Sequence, residues 1–269
     1  MKKNDRSLLI YNVKSILKSS IGVILLVLGF AVMVSMYYHS QFSQRTGENL
    51  HSLDYLLYLF KGADIINRNL ISAKLDIPVM YLGMALGVSY ITGRSLYSEN
   101  DHIILTYSKS RNGWLNSKAA GYMLCSFMII AGVTFTGCMA GGFDMTFYSQ
   151  DNSFLIQYDY NKITGVWQML VYIGTIYITY MSVMMLQIML SLLINRITGF
   201  ICVMALYIAS VFINTPAFIG NGAMLIRYNA YSEDGAGLLI YFIIDMIILI
   251  MSYIVSNIII RHKDIFEIN

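Results

Sequence analysis

One acidic residue lies inside a long apolar stretch, and it is the first candidate for chemistry in this chain. Asp245 is embedded in YFIIDMIILI. Because a carboxyl group inside a membrane span is costly, it usually faces protein or a water-filled path. Asp245 is therefore either a carboxylate that lines or gates a pathway, or a partner in an interhelical hydrogen bond. A single acid does not form a proton relay, which weighs against the pathway role.

A second group of polar side chains interrupts the apolar segment 166–194. Its candidate members are Gln168, Tyr172, Tyr177, Tyr180 and Gln187. This polarity exceeds what a lipid-facing helix favours, and it predicts a helix that lines a path or an inner interface. Aromatic and methionine-rich surfaces, available here from 21 Tyr and 18 Met, suit an amphipathic cargo of variable shape. Alternatively, some of the tyrosines are anchors at the membrane interfaces.

The motifs of several enzyme classes are absent from the sequence. No Gly-x-x-x-x-Gly-Lys-Ser/Thr motif occurs, so the chain cannot build the phosphate-binding loop of an ATPase. There is no His-Glu-x-x-His zinc motif and no Gly-x-Ser-x-Gly nucleophile motif. We therefore expect no catalytic residues and no metal site in this chain. If the protein performs work, its energy should come from a partner.

The composition predicts the elements that must hold these residues. The chain is 57% hydrophobic and only 12% charged, whereas a soluble domain is about one quarter charged. A spanning helix needs about 20 mostly apolar residues. The expected fold is an all-α membrane protein with six transmembrane helices, in windows Ser19–Tyr38, Ile77–Thr92, Ala119–Gly142, Val166–Ile194, Gly199–Ile213 and Gly237–Ile260. Two Gly-x-x-x-Gly pairs, Gly83/Gly87 and Gly137/Gly141, predict close helix packing within the bundle.

The distribution of positive charge predicts the orientation of these spans. With six spans, twelve of the 18 Lys and Arg residues fall on the side that carries both termini. The other six are Arg45, Lys61, Arg68, Lys74, Lys162 and Arg227. Cytoplasmic loops collect Lys and Arg, so both termini are expected in the cytoplasm. The net charge of +3 is then a topology signal, and a nucleic-acid partner is not expected.

The first 18 residues have the pattern of an amphipathic helix. Leu9, Val13, Ile16 and Leu17 follow helical spacing. Lysines on the opposing face would let residues 1–18 lie in the headgroup layer against anionic membrane lipid, ahead of a transmembrane domain at 19–269. The simpler alternative is a positively charged topology anchor.

The polar segment 98–118, SENDHIILTYSKSRNGWLNSK, separates the second and third windows. Ser98 followed by Asp101 is a helix-starting pattern and predicts a short helix over Glu99–Tyr107. Asn112 and Gly113 predict a turn. Trp114 is expected at the membrane interface. The alternative is an ordinary basic cytoplasmic loop.

This part of the chain resembles the first cytoplasmic loop of ABC-2 type transporter permeases. A short span is followed by a few acidic residues, a brief helix and the sequence SKSRNGWLNSK. The surrounding plan is similar as well: an amphipathic N-terminal helix, six spans, a short second inner loop and the proline-containing outer segment TPAFIGNGAMLIRYN. In that family the short helix is a coupling helix, seated in a groove of a separate ATPase subunit. The resemblance implies that the ATPase-contact residues are Glu99, Asp101, His102, Ile104, Tyr107 and Arg111.

The same resemblance implies the partners and the cargo. The working unit would contain two ATPase subunits, which bind ATP and Mg²⁺, and a second permease copy or paralogue. The cargo would be amphipathic: an antimicrobial peptide, a peptide signal, a lipid or a lipophilic drug. The location would be a bacterial plasma membrane. Two other classes stay open: a non-transporting immunity or sensor module, and a membrane enzyme that uses Asp245 and the tyrosines.

Overall fold

The computed structural model describes residues 3–46, 50–63, 78–96, 111–147, 165–231 and 235–262. Within these ranges the regular structure is helical, with one isolated bridge between Tyr228 and Ala236. The α-helices are α1 (Lys3–Thr46), α2 (Ser52–Phe60), α3 (Val79–Ser95), α4 (Arg111–Ala140), α5 (Val166–Leu193), α6 (Arg196–Phe212) and α7 (Leu238–His262). Two short 3₁₀ turns, Asn221–Ala223 and Leu225–Arg227, lie between α6 and α7.

Four of these helices are long and apolar enough to cross a membrane. They are Ser7–Gln44 within α1, together with α4, α5 and α7. Helices α3 and α6 have 17 residues each and rise about 26 Å, somewhat less than the roughly 30 Å of a hydrocarbon core. The chain is thus an all-helical protein with the features of a multi-pass membrane protein.

Glycines allow α1 to pack closely on α3 and α4. A Cβ at Gly132 of α4 would lie 2.5 Å from Leu28, and one at Gly87 of α3 would lie 2.8 Å from Val27. Gly83 of α3 faces Phe30 of α1, and Gly137 of α4 faces Leu56 of α2. The predicted glycine packing within the bundle is therefore confirmed, because small residues let helix backbones approach.

Contacts between residues give the relative directions of the helices. Asn12 of α1 bonds Ser117 of α4, and Leu28 meets Gly132 further along, so α1 and α4 run the same way. Helix α3 runs opposite to α1, since Gly87 meets Val27 whereas Gly83 meets Phe30.

The remaining helices continue this alternation. Tyr180 and Gln187 of α5 bond the carbonyls of Tyr81 and Ser89, so α5 runs with α3. Helix α6 runs opposite to α3, and α7 returns to the end where α4 begins. Most of the described basic side chains gather at that end, which is called the basic end below: Lys14, Lys18, Arg94, Arg111, Lys118, Arg196 and Arg261.

No break in the helix separates the predicted interfacial residues from the first span. Helix α1 is continuous from Lys3 to Thr46. Its early apolar face packs on α4: Asn12 donates to Ser117 (2.6 Å), and Ile16 is buried against Gly121. Lys14 and Lys18 are exposed, on the face opposite this contact.

One expectation for the polar segment 98–118 is wrong. Asn112 and Gly113 lie in the first turn of α4 and not in a turn between helices. The first turn tolerates them because the first backbone N–H groups of a helix have no intrahelical partner. Trp114 is fully buried, and Lys118 Nζ lies 5.7 Å from its ring centroid. The predicted helix Glu99–Tyr107 lies outside the described residues.

The burial of Trp114 predicts a contrast between the two tryptophans. Trp114→Ala should lower the free energy of unfolding by about 3–5 kcal/mol, the usual loss for truncating a buried aromatic side chain. Trp167→Ala should change it by less than about 0.5 kcal/mol, because Trp167 is 82% exposed. Denaturant unfolding in the same detergent measures both. Equal losses would contradict the burial of Trp114.

Candidate functional site

The segment between α6 and α7 enters the helix bundle. Residues 220–228 are all buried, although they form no α-helix. Gly220 has φ +102°, a conformation that favours glycine, and a Cβ there would lie 2.7 Å from the Tyr81 hydroxyl. A Cβ on Gly222 would lie 2.6 Å from Thr179 and 2.8 Å from Asp245. This part of the chain, residues 214–231, is called the re-entrant segment below.

The re-entrant segment extends to about half the depth of the bundle. Thr179, which Gly222 contacts, is the fourteenth of the 28 residues of α5. At 1.5 Å per residue it lies about 20 Å along that helix from Val166. Irregular backbone at such depth in a membrane protein is tolerated only where it is buried in protein or lines a cavity.

Buried side chains donate hydrogen bonds to backbone carbonyls of this segment and of the residues just before it. The Asn221 amide donates to the carbonyls of Ile213 (2.7 Å) and Thr215 (2.8 Å). The Tyr228 hydroxyl donates to the Gly222 carbonyl (2.5 Å). These bonds hold the turn at Asn221–Ala223 against the start of the segment.

Arg227 is a buried cation in the same segment, with 1% exposure. Its Nη2 donates to the Val211 carbonyl at the end of α6 (3.0 Å). Its own carbonyl accepts from the Tyr241 hydroxyl of α7 (3.1 Å). Arg227 therefore ties the re-entrant segment to both helices that flank it.

Asp245 takes part in an interhelical hydrogen bond. Thr179 Oγ1 donates to Asp245 Oδ2 (2.5 Å), and Ser182 Oγ lies 3.5 Å from Oδ1. Asp245 is 3% exposed and also borders Gly222. The carboxyl group thus joins α7 to the middle of α5, next to the tip of the re-entrant segment.

The other pathway candidates do not share one surface. Tyr172 is buried against Tyr228 (ring centroids 4.9 Å apart), and Tyr180 is buried with its hydroxyl on the Tyr81 carbonyl. Tyr177 turns toward α4 and donates to the Met123 carbonyl (3.1 Å). Gln187 is buried nearer the basic end, where it donates to the Ser89 carbonyl (2.8 Å).

The remaining predicted site residues lie away from the Asp245 contacts or outside the described ranges. Gln168 lies on the exposed surface of α5. Arg111 begins α4 and donates to the Ile260 carbonyl of α7 (3.4 Å). The ATPase-contact candidates Glu99, Asp101, His102, Ile104 and Tyr107 lie outside the described residues.

Sequence reasoning missed Asn221, Arg227, Tyr228 and Tyr241. One signal was present for Tyr241, since it precedes Asp245 by four residues and so shares its helix face. The sequence predicts that Arg227 lies in the outer segment TPAFIGNGAMLIRYN, on the side opposite the termini. The role of these residues depends on the path of the re-entrant segment, which no local pattern specifies.

Helix α2 closes the bundle at the end opposite the basic end. Eight of its nine residues are buried against the rest of the bundle. The Ser52 N–H donates to the Asp144 carbonyl beyond α4 (2.9 Å), and His51 Nδ1 lies 3.4 Å from the Asp144 carboxylate. The His51 N–H donates to Asp54 (3.2 Å). Burial raises the pKa of Asp54 to about 7, although the contacts with His51 act to lower it.

Neither the described residues nor comparison with other proteins indicates a familiar active centre. Within the described ranges, no three His, Cys, Asp or Glu side chains are placed to hold a metal ion. Comparison of the chain with known families, curated proteins and solved structures finds no match in any of the three. The function must therefore be inferred from the residues of this chain and their arrangement.

The bond between Asp245 and Thr179 predicts different effects for two substitutions. Asp245→Asn keeps an acceptor for Thr179 and should retain most of the stability. Asp245→Leu leaves the Thr179 and Ser182 hydroxyls without this acceptor and should cost about 1–3 kcal/mol. Unfolding of both variants in one detergent measures the difference. A loss for Asn as large as that for Leu would contradict the hydrogen-bond role.

The raised pKa of Asp54 predicts a pH-dependent stability. A carboxyl group whose pKa rises on folding contributes fully below its unfolded value of 3.8 and loses that contribution as the pH rises through about 7. The wild-type protein should therefore lose more stability between pH 5 and pH 8 than Asp54→Asn, which cannot ionise. Thermal unfolding across this range compares them. Parallel pH profiles would refute the prediction.

Proposed function

We propose that the chain is the transmembrane permease subunit of an ATP-driven ABC exporter of the ABC-2 type. It would work with a separate ATPase subunit, which binds ATP and Mg²⁺, and with a second permease copy or paralogue. The observation that carries the proposal is the bracing of the two helix ends that flank residues 97–110, most of which belong to the segment 98–118 that resembles a coupling segment.

Both ends of this segment are held by the bundle. Lys118 Nζ on α4 donates to the Ser95 carbonyl at the end of α3 (2.8 Å) and lies 5.7 Å from the ring centroid of the buried Trp114. Arg111 donates to Ile260, and Arg261 lies against the Asn112 side chain. A push on residues 97–110 would therefore reach α3, α4 and α7 together. Such bracing suits a rigid-body transmission of force, which an unbraced loop cannot provide.

A six-span topology with both termini in the cytoplasm accompanies this proposal. The alternating directions of α1, α3, α4, α5, α6 and α7 support it, as does the gathering of basic side chains at one end. Cytoplasmic faces favour Lys and Arg. The basic end would face the cytoplasm of a bacterial cell, where the ATPase is located, and the α2 end would face outward.

The proposed cargo is amphipathic, such as a peptide, a lipid or a lipophilic drug. The 21 Tyr and 18 Met of the chain are the observation behind this class. The enzyme alternative is less favoured, because Asp245 is engaged by Thr179 and Ser182 and borders a packed turn.

The test is recovery of a partner ATPase with the tagged chain. A protein with a phosphate-binding loop and without spans should co-purify, and mass spectrometry would identify it. Ile104→Glu should weaken its retention roughly tenfold to a thousandfold, because an unpaired charge in an interface core costs on the order of 2–4 kcal/mol. Ser110→Glu adds the same charge outside the apolar group 103–105 and should have a much smaller effect.

Two outcomes would overturn the proposal. One is the absence of any such ATPase from the purified complex. The other is equal retention with Ile104→Glu and Ser110→Glu, which would remove the coupling role of residues 97–110. In both cases the yield and thermal stability of the variants serve as the check that the membrane bundle has folded.

A further inference from the structure

A cavity of about 350 Å³ lies at the basic end between α3 and α6. This size falls within the roughly 300–1,000 Å³ of pockets that hold small molecules. Six described residues line it: Tyr90, Gly93, Arg94, Arg196, Ile197 and Phe200. The cavity is separate from the polar residues around Asp245 and from the re-entrant segment.

The polar part of the cavity consists of two arginines. Arg94 is near the end of α3, and Arg196 is the first residue of α6. Within the described part of the chain, neither forms an ion pair, and none of the six lining residues is acidic. Two exposed guanidinium groups at one cavity favour an anion, and a guanidinium fork matches the geometry of phosphate oxygens.

The other wall of the cavity is apolar and continues along the outside of the bundle. Ile197 is 64% exposed at the cavity, and the exposed Ile201 follows it on α6. Tyr90 and Leu86 are the corresponding exposed side chains of α3. A soluble anion would gain nothing from this apolar surface, whereas the acyl chains of a lipid would cover it.

We propose that this cavity binds the phosphate headgroup of an anionic phospholipid from the leaflet at the basic end. Arg94 and Arg196 contact the headgroup, and the acyl chains lie along the apolar surface of α3 and α6. Basic pockets between membrane helices on the cytoplasmic side are known to hold anionic headgroups. The site does not depend on an ATPase partner, so its test is independent of the transport proposal.

The test is native mass spectrometry of the full chain in detergent, titrated with phosphatidylglycerol or with phosphatidylcholine. Phosphatidylglycerol should bind more tightly. The double variant R94Q/R196Q should raise its dissociation constant roughly tenfold to thirtyfold, since each basic residue near an anionic lipid contributes about one kcal/mol. Binding of phosphatidylcholine should change little.

A matched control removes two charges from the same end but outside the cavity. Lys14 and Lys18 are exposed on α1, so K14Q/K18Q should change the dissociation constant less than about threefold. Ile197→Glu, which places a negative charge at the cavity without truncating a buried side chain, should weaken phosphatidylglycerol binding as R94Q/R196Q does. If R94Q/R196Q fails to fold, Ile197→Glu tests the same cavity.

Three results would overturn the proposal. The first is equal affinity for the two lipids. The second is an equal loss of affinity in K14Q/K18Q and R94Q/R196Q, which would indicate general attraction to a basic surface. The third is displacement of phosphatidylglycerol by glycerol 1-phosphate at equal concentration, which would indicate a site for a soluble phosphate.

Discussion

The structure depends on one constraint: backbone polar groups that enter an apolar bundle must find hydrogen-bond partners there. The re-entrant segment reaches the level of Thr179 as turns and two short 3₁₀ turns and not as an α-helix. Several of its N–H groups bond the carbonyl three residues before. Side chains bond further carbonyls of the segment: Asn221 that of Thr215, Tyr228 that of Gly222 and Tyr241 that of Arg227. An unsatisfied buried backbone group costs several kcal/mol in such surroundings. This requirement explains the inward-facing hydroxyl of Tyr241 on α7.

The two sides of the bundle are consequently built in different ways. On one side, α1 packs on α3 and α4 through glycines and aliphatic side chains, with close backbone approach at Gly87, Gly121 and Gly132. On the other side, α5 and α7 enclose the re-entrant segment through hydroxyls and the Asp245 carboxyl group. A repacking that separates α5 from α7 would expose these polar groups.

The ends of the bundle differ in charge as well as in packing. The basic end combines the bracing of Lys118 and Arg111 with the cavity of Arg94 and Arg196. Lys118 serves the protein interior, since it is buried and bonded to the Ser95 carbonyl, whereas Arg94 and Arg196 face outward. Basic residues that look alike in a charge count therefore have separate roles: some hold helix ends, and others are available to an anionic partner. At the opposite end, α2 and Asp144 form a closed and partly acidic cover.

The sequence by itself determined the properties that depend on local apolar length. Hydropathy located α5 to within one residue: the predicted window is Val166–Ile194, and the helix is Val166–Leu193. An apolar run and its polar borders are consecutive in the sequence, so a local window detects them. It also located the glycine contacts and the concentration of positive charge. Only the tertiary structure decided that residues 3–18 belong to α1, that Trp114 is buried and Asn112 helical, and that Asp245 pairs with Thr179. The sequence did not predict the path of the re-entrant segment either. Each of these depends on which element lies opposite in the folded chain, as Thr179 and Asp245 do across 66 positions, so no local spacing predicts it.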